Sequence, residues 1–124
     1  MNPKQFLMWG GVVLLALGII GFIVPNLLGK TLYFDSAENW AHTVLGIVAI
    51  IASYALGASA QRTLTGIVGV VALFFGVWGF VVGGRAAPNT FGVTNLEFLD
   101  NIVHLAVAAW AYLSMRGKPA MAGM

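Results

Sequence analysis

The chain contains no cysteine, which excludes disulfides, thiolate metal sites and cysteine nucleophiles. Charge is almost as scarce. Only 8% of the 124 residues are Asp, Glu, Lys or Arg, where a soluble domain carries about 25%. So few charges cannot keep a monomer's surface hydrated in water. The net charge of +2 comes from basic residues that never cluster, so there is no footprint for nucleic acid. No Ser-His-Asp arrangement, phosphate-binding glycine loop or H-E-x-x-H occurs, and nothing marks an enzyme.

What the chain does have is apolar: 60% of its residues are hydrophobic. Its natural solvent is therefore a lipid bilayer. Four apolar segments stand out, Phe6–Val24, Trp40–Leu56, Leu64–Val82 and Ile102–Met115. The first is long enough to cross about 30 Å of hydrocarbon at about 1.5 Å per residue. The fourth reaches that length only if Phe98 and Leu99 join it, which puts Asp100 and Asn101 at the membrane boundary. A cleaved signal peptide is the rival reading of the first segment, but the third segment repeats its glycine pattern.

That repetition runs through the chain. Gly18-x-x-Gly21-Phe22 returns as Gly76-x-x-Gly79-Phe80, a shift of 58. Pro25-Asn26-x-x-Gly29 returns as Pro88-Asn89-x-x-Gly92, a shift of 63. Asp35-x-x-Glu38-Asn39-x-x-His42 returns as Glu97-x-x-Asp100-Asn101-x-x-His104, a shift of 62. Three motifs kept in order at nearly constant spacing indicate a duplicated unit. The expected fold is all-α: an integral membrane four-helix bundle made of two parallel-repeat helical hairpins. It forms a single transmembrane domain over residues 1–124, with repeat one at about 6–57, repeat two at about 64–115 and a short tail at 116–124.

Orientation follows from the basic residues. Lys4, Arg62, Arg116 and Lys118 fall on one side, against Lys30 and Arg85 on the other. Because basic residues collect on the cytoplasmic face, the expectation is a multi-pass cell-membrane protein with both termini cytoplasmic. Trp40 and Tyr33-Phe34 then suit the outer interfacial belt, and Trp9, Tyr54 and Tyr112 the inner one.

Gly11, Gly18 and Gly21 form one stripe of the first helix, and Gly69, Gly76 and Gly79 repeat it in the third. Lipid supplies no hydrophobic drive for helices to associate, so small residues that admit close backbone approach mark the packing face. On the second helix His42, Gly46, Ala49 and Ser53 share a face, as do His104, Ala108 and Ala111 on the fourth. Each histidine should point into the bundle. Glu38 and Asp100 lie one turn before them, with Asp35 and Glu97 another turn further out.

The candidate polar or ligand cluster is therefore His42, His104, Glu38, Asp100, Asn39, Asn101, Asp35 and Glu97, gathered at the outer mouth. Ionisable residues inside a membrane are functional candidates because they are costly to retain. The acids also have a structural role open to them. Asp35-x-x-Glu38 and Thr94-x-x-Glu97 both read as helix capping boxes, and an Asn one residue later can cap or bond across helices. Two histidines alone cannot complete a four-ligand metal site; carboxylates or an outside ligand would have to join them.

Two glycine-rich helices, each followed by a helix opening Asn-x-x-His, resemble the bacterial four-helix membrane proteins grouped as domain of unknown function 4383. The matching residues are Asn39-Trp40-Ala41-His42 with Gly46, and Asn101-Ile102-Val103-His104. Ala108 stands where the pattern would place a second glycine. The resemblance implies a fold and a membrane location, and no activity.

The preferred reading is an integral membrane scaffold or accessory subunit without cofactor, its histidines serving as internal polar contacts. The alternatives are a protein that binds a metal, haem or another tetrapyrrole through His42 and His104, and a small-solute or proton pathway; an enzyme ranks last. Against a pathway, the inner half of the helices offers only Thr43, Ser53 and Ser114 as polar residues. The expected partners are the lipid bilayer, other membrane subunits or further copies of the chain, and no nucleic acid.

Overall fold

In a computed structural model, residues 1–27 and 33–117 are described. Gly29, Lys30, Lys118 and the rest of the tail lie outside them. Four helices follow one another: α1, Pro3–Ile23; α2, Ser36–Ala55; α3, Ala58–Val82; and α4, Phe98–Arg116. No strand occurs among the described residues; Thr90 and Thr94 form one isolated bridge. The fourth helix does take in Phe98 and Leu99. The second starts four residues earlier than its apolar run, because Asp35 caps it and Ser36, Glu38 and Asn39 fill its first turn.

Each helix boundary has a local cause. Asn2 and Gln5 close a capping box around the start of α1, with Pro3 at its first position. Asp35 accepts a hydrogen bond from Glu38 N at 2.9 Å, satisfying one of the amides that a helix start leaves unpaired. Gly83 and Gly84 stop α3, and Gly84 takes a φ of +86°, open to glycine at little cost. At the fourth helix the expected box does not form around Thr94. Glu97 is the N-cap, its amide donating to Asp100 Oδ2 at 2.9 Å, while the Thr94 hydroxyl turns away to α2.

The helices pair antiparallel, α1 along α2 and α3 along α4, and α1 also meets α3 and α4. Glycine sets how closely. A Cβ on Gly11 would lie 2.9 Å from the Gly46 carbonyl, and one on Gly46 only 2.6 Å from the backbone nitrogen of Leu15. Real Cβ atoms do not come that near, so α1 and α2 touch backbone to backbone. At the corresponding level of α3 and α4 the contact is looser. A Cβ on Gly69 would stand 3.9 Å from the Ala108 carbonyl and 3.0 Å from the Cβ of Ala111. The methyl group of Ala111 is what meets Gly69, and the Ala108 backbone stands further off than that of Gly46 does from Gly11.

The bundle has two unlike ends. Where α1 and α3 begin and α2 and α4 end, Phe6, Leu7, Ala52 and Ala111 form an apolar core, and Phe6 meets the Trp110 ring edge-on at 4.7 Å. Two buried polar residues belong to this end as well, Gln61 and Thr65, which corrects the expectation that only Thr43, Ser53 and Ser114 are polar there. Gln61 Nε2 reaches three carbonyls of the last turns of α2, Ala52, Ser53 and Leu56, at 3.3, 3.0 and 2.9 Å. The Arg62 guanidinium donates to the carbonyl of Met115 near the end of α4. At the opposite end buried polar side chains predominate.

Candidate functional site

The polar end is built from the first turns of α2 and α4, the last turns of α1 and α3, and the segments leading into α2 and α4. Of the eight candidate residues, Glu38, Asn39, Asp100 and Asn101 are buried, and Asp35, Glu97, His42 and His104 are half-buried. Helix phase explains the first four. Residues 38–39 and 100–101 begin the inward faces that continue to Gly46 and Ser53 in α2 and to Ala111 and Ser114 in α4, all buried. Val44, Leu45, Ile47 and Val48 lie on the opposite, exposed face.

The two asparagines act as wedges against glycine. A Cβ on Gly21 would overlap Asn39 Oδ1, with Asn39 Cγ at 2.7 Å; a Cβ on Gly79 would overlap Asn101 Oδ1, with Asn101 Cγ at 2.5 Å. The last glycine of each stripe is thus the receptor of the carboxamide that opens the next helix. Neither oxygen has a hydrogen-bond partner. The two amides differ at their nitrogens. Asn39 Nδ2 donates to the carbonyl of Phe34 at 3.2 Å. In the second unit that position is Leu96, and its carbonyl is held by Asn89 Nδ2 at 3.0 Å while its amide donates to Asn89 Oδ1 at 2.9 Å.

The acids reach across from one helix pair to the other. Thr94 Oγ1 donates to Asp35 Oδ2 at 2.7 Å, with Glu38 Oε1 at 3.3 Å, and the Asn95 amide donates to the same Asp35 oxygen at 3.3 Å. In return the Tyr33 amide donates to both carboxylate oxygens of Glu97, each at 3.1 Å. Each unit's cap acid is therefore bound by the segment leading into the other unit's helix. Asp35 does two jobs, capping α2 with one oxygen and anchoring the 94–95 segment with the other. None of these bonds is local in sequence: each spans more than 50 residues.

The histidines take different partners. His104 Nδ1 lies 2.7 Å from the Asp100 carbonyl of its own helix. A carbonyl can only accept, so the proton is on Nδ1 and Nε2 is left as an acceptor. The ring also stands beside Phe75, with centroids 5.9 Å apart. His42 Nδ1 is buried without a partner, as are Glu38 Oε2 and Thr43 Oγ1 on the same stretch of α2. Both imidazoles are half-buried. Among the described residues, no three of His, Asp and Glu come together in a set that could hold a metal ion.

Several residues here carry no sequence signal for the contacts they make. Asn89, Thr94 and Asn95 contribute five of the hydrogen bonds just described, yet they sit in a connecting segment without periodicity. The Pro88-Asn89 repeat of Pro25-Asn26 was the one available pointer to Asn89. Phe34, placed in the surface aromatic belt by its neighbour Tyr33, is buried at 4% exposure, and its Cβ covers Gly21. Tyr33 and Trp40 are exposed, as are Trp9, Tyr54 and Tyr112.

Taken together these features define a four-helix, all-α protein with three helices, α1, α3 and α4, long and apolar enough to cross a membrane, and a buried layer of carboxyl and carboxamide groups at one end, with two half-buried imidazoles beside it. Comparison of the chain with models of known families, with curated proteins and with solved structures returned no match.

Proposed function

We propose that the chain is an integral membrane scaffold or accessory subunit, a bundle of two like hairpins with both termini in the cytoplasm, like the four-helix family that its Asn-x-x-His motifs resemble. The observation that carries this reading is the inverted distribution of polarity. Ile23, Ile51, Val70, Val77, Tyr112 and Leu113 are more than half exposed, while Glu38, Asn39, Gln61, Thr65, Asp100 and Asn101 are buried. Such a surface is unfavourable in water and ordinary in lipid, where packing depends on small residues and internal polar contacts. The helix α2 belongs to the bundle although its first turns are polar, because those turns are buried against α1 and the 94–95 segment.

The polar layer supports the scaffold reading through its hydrogen bonds, which tie the two helix pairs to each other. A second reading, a metal or tetrapyrrole held by His42 and His104, draws on the unpartnered Nδ1 of His42 and the free acceptor on His104. A native chain without cysteine makes the topology testable with single-cysteine reporters. Cysteines placed at Lys4 and Arg62 should be labelled only from the cytoplasmic side, and one at Arg85 only from outside, in a protein that resists alkaline extraction from membranes. Release by alkali, or labelling of Arg85 and Lys4 positions from the same side, would remove the proposal. Metal analysis and a visible spectrum of protein purified without chelator decide the second reading.

A further inference from the structure

The segment between α3 and α4 closes into a small hairpin. Thr90 and Thr94 form its bridge: the Thr90 amide donates to the Thr94 carbonyl at 3.0 Å, and the amides of Val93 and Thr94 donate to the Thr90 carbonyl at 3.1 and 3.3 Å. The feet of the hairpin belong to the bundle. Thr90 and Leu96 are buried, and the side chains of Asn89 and Thr94 bond to Leu96 and Asp35. Its tip is different. Phe91 is 67% exposed and Val93 66%, and Phe91-Gly92-Val93 carries no polar side chain. Phe91 also holds a φ of +53°, a left-handed conformation that a residue of its bulk rarely adopts. A large apolar side chain kept in such a conformation points to a use for it.

The ring of Phe91 shows where the tip lies. It stacks on Trp78, with centroids 5.8 Å apart and planes 8° from parallel. Trp78 in turn stacks on Phe74 at 6.1 Å, again with an angle of 8°. Trp78 stands a full turn before Val82, the last residue of α3, which is about 6 Å along the axis at about 1.5 Å per residue. The tip is therefore folded back beside a helix long and apolar enough to cross a membrane, and does not stand above its end. Residues 74, 77, 78 and 81 share one face of α3, and on it Phe74, Val77 and Val81 are exposed. Through the two stacks, Phe91 continues that apolar face.

We propose that the 90–94 hairpin is a bilayer anchor, with Phe91 and Val93 seated in the leaflet at the polar end, at the boundary between headgroups and acyl chains. The inference rests on the membrane reading above, and continuity with the lipid-facing side of α3 selects lipid as the partner. The depth follows from the backbone. The amides of Phe91 and Gly92 donate to no group among the described residues, and hydrocarbon has no acceptor to offer them. At the boundary, water and headgroup oxygens accept those bonds while the two apolar side chains leave water. A tip without charge reads no headgroup, so the anchor is general for phospholipids.

The test places nitroxide labels at single cysteines in the full-length protein, reconstituted into phosphatidylcholine vesicles. Collisions are measured with oxygen, which concentrates in lipid, and with a water-soluble nickel chelate. Val77→Cys gives the lipid reference, and Arg85→Cys, at an exposed position beyond the end of α3, gives the water reference. Labels on Phe91→Cys and Val93→Cys should show an oxygen-to-chelate ratio several times that at position 85. A ratio close to that at position 85 overturns the proposal. Shielding from both reagents also overturns it, and would assign the tip to a protein partner or a second copy. Val93→Cys keeps Phe91 and its stack, so it remains decisive if Phe91→Cys distorts the turn. Asparagine suits a positive φ better than phenylalanine does, yet adding Phe91→Asn should move the label at position 93 toward the water value. A label that stays in lipid there would remove Phe91 as the anchor. Failure of the membrane reading is separable, since the label at position 77 would then report water as well.

Discussion

The carboxamide of Asn101 occupies the space where a Cβ on Gly79 would be, and the carboxamide of Asn39 stands in the same relation to Gly21. A polar side chain lodged against a glycine joins the end of one helix to the start of its partner, twice in one chain. Gly79→Ala should therefore destabilise the protein by at least about 1–3 kcal/mol, the cost of overpacking a filled site. Removing the obstruction in the double variant Gly79→Ala/Asn101→Ala should recover part of that loss, with a coupling of about 0.5–3 kcal/mol. Thermal unfolding in detergent measures both. Strictly additive losses would show that the contact is not the cause.

The two helix seams should respond differently to the same change. Gly46→Ala places a methyl group 2.6 Å from the Leu15 backbone nitrogen, which cannot step aside. Gly69→Ala meets the Cβ of Ala111 at 3.0 Å, where a shift of a few tenths of an ångström relieves it. The first variant should lose clearly more stability than the second, on the order of 2 kcal/mol more. Similar losses in the two would mean that the seams are equally tight.

Thr94 and Asp35 give a test of the bond between helix pairs. Thr94→Val removes the hydroxyl that donates to Asp35 at 2.7 Å and should cost about 1–2 kcal/mol. Asp35→Ala should cost more, because it also removes the cap on Glu38 N, itself about 1 kcal/mol. In the Asp35→Ala background the valine substitution should have little further effect. A full additional loss there would break the assigned link.

At the other end Gln61 holds the closing carbonyls of α2. Gln61→Leu keeps the volume and removes the donors. About 1–3 kcal/mol should be lost, since the site is buried and the carbonyls of Ser53 and Leu56 lose their donor, while that of Ala52 keeps the Leu56 amide. Hydrogen exchange at residues 52–57 should rise ahead of the rest of the helix. An unchanged exchange profile would assign Gln61 to packing alone.

The histidines separate the scaffold from the cofactor reading by spectroscopy. On the scaffold reading, His104→Phe leaves the visible spectrum and metal content unchanged and costs only the 2.7 Å bond to the Asp100 carbonyl and the contact with Phe75. A chromophore or stoichiometric metal lost in both His42→Phe and His104→Phe would establish the cofactor reading instead.

Much of this was legible in the residues alone. Period and composition are properties of short stretches, so the helices, their glycine stripes and the faces bearing Gly46 and Ser53 on α2 and Ala111 on α4, all buried, could be read directly. His42, Ala49, His104 and Ala108, read onto the same faces, are half-buried. The cap at Asp35 was readable because a cap involves neighbours three residues apart. What stayed hidden was every contact made across the chain. Thr94 reads as the local cap of its own helix, yet its hydroxyl spans 59 residues to Asp35. Phe34 reads as a surface aromatic beside Tyr33, and packing turns it under Gly21.

The internal repeat predicts like surroundings for Asn39 and Asn101, and their glycine sockets are alike. Their hydrogen bonds are not, because Asn89 competes for the Leu96 carbonyl while nothing displaces Asn39 from Phe34. Sequence determined the helices, their apolar outer faces and the gathering of Glu38, Asn39, Asp100 and Asn101 at one end, because each follows from local period and composition. The tertiary structure alone decided which carboxylate meets which loop and which of two corresponding amide nitrogens has a backbone carbonyl to donate to. Those outcomes depend on which donor reaches an acceptor first in three dimensions, and one acceptor cannot satisfy every candidate.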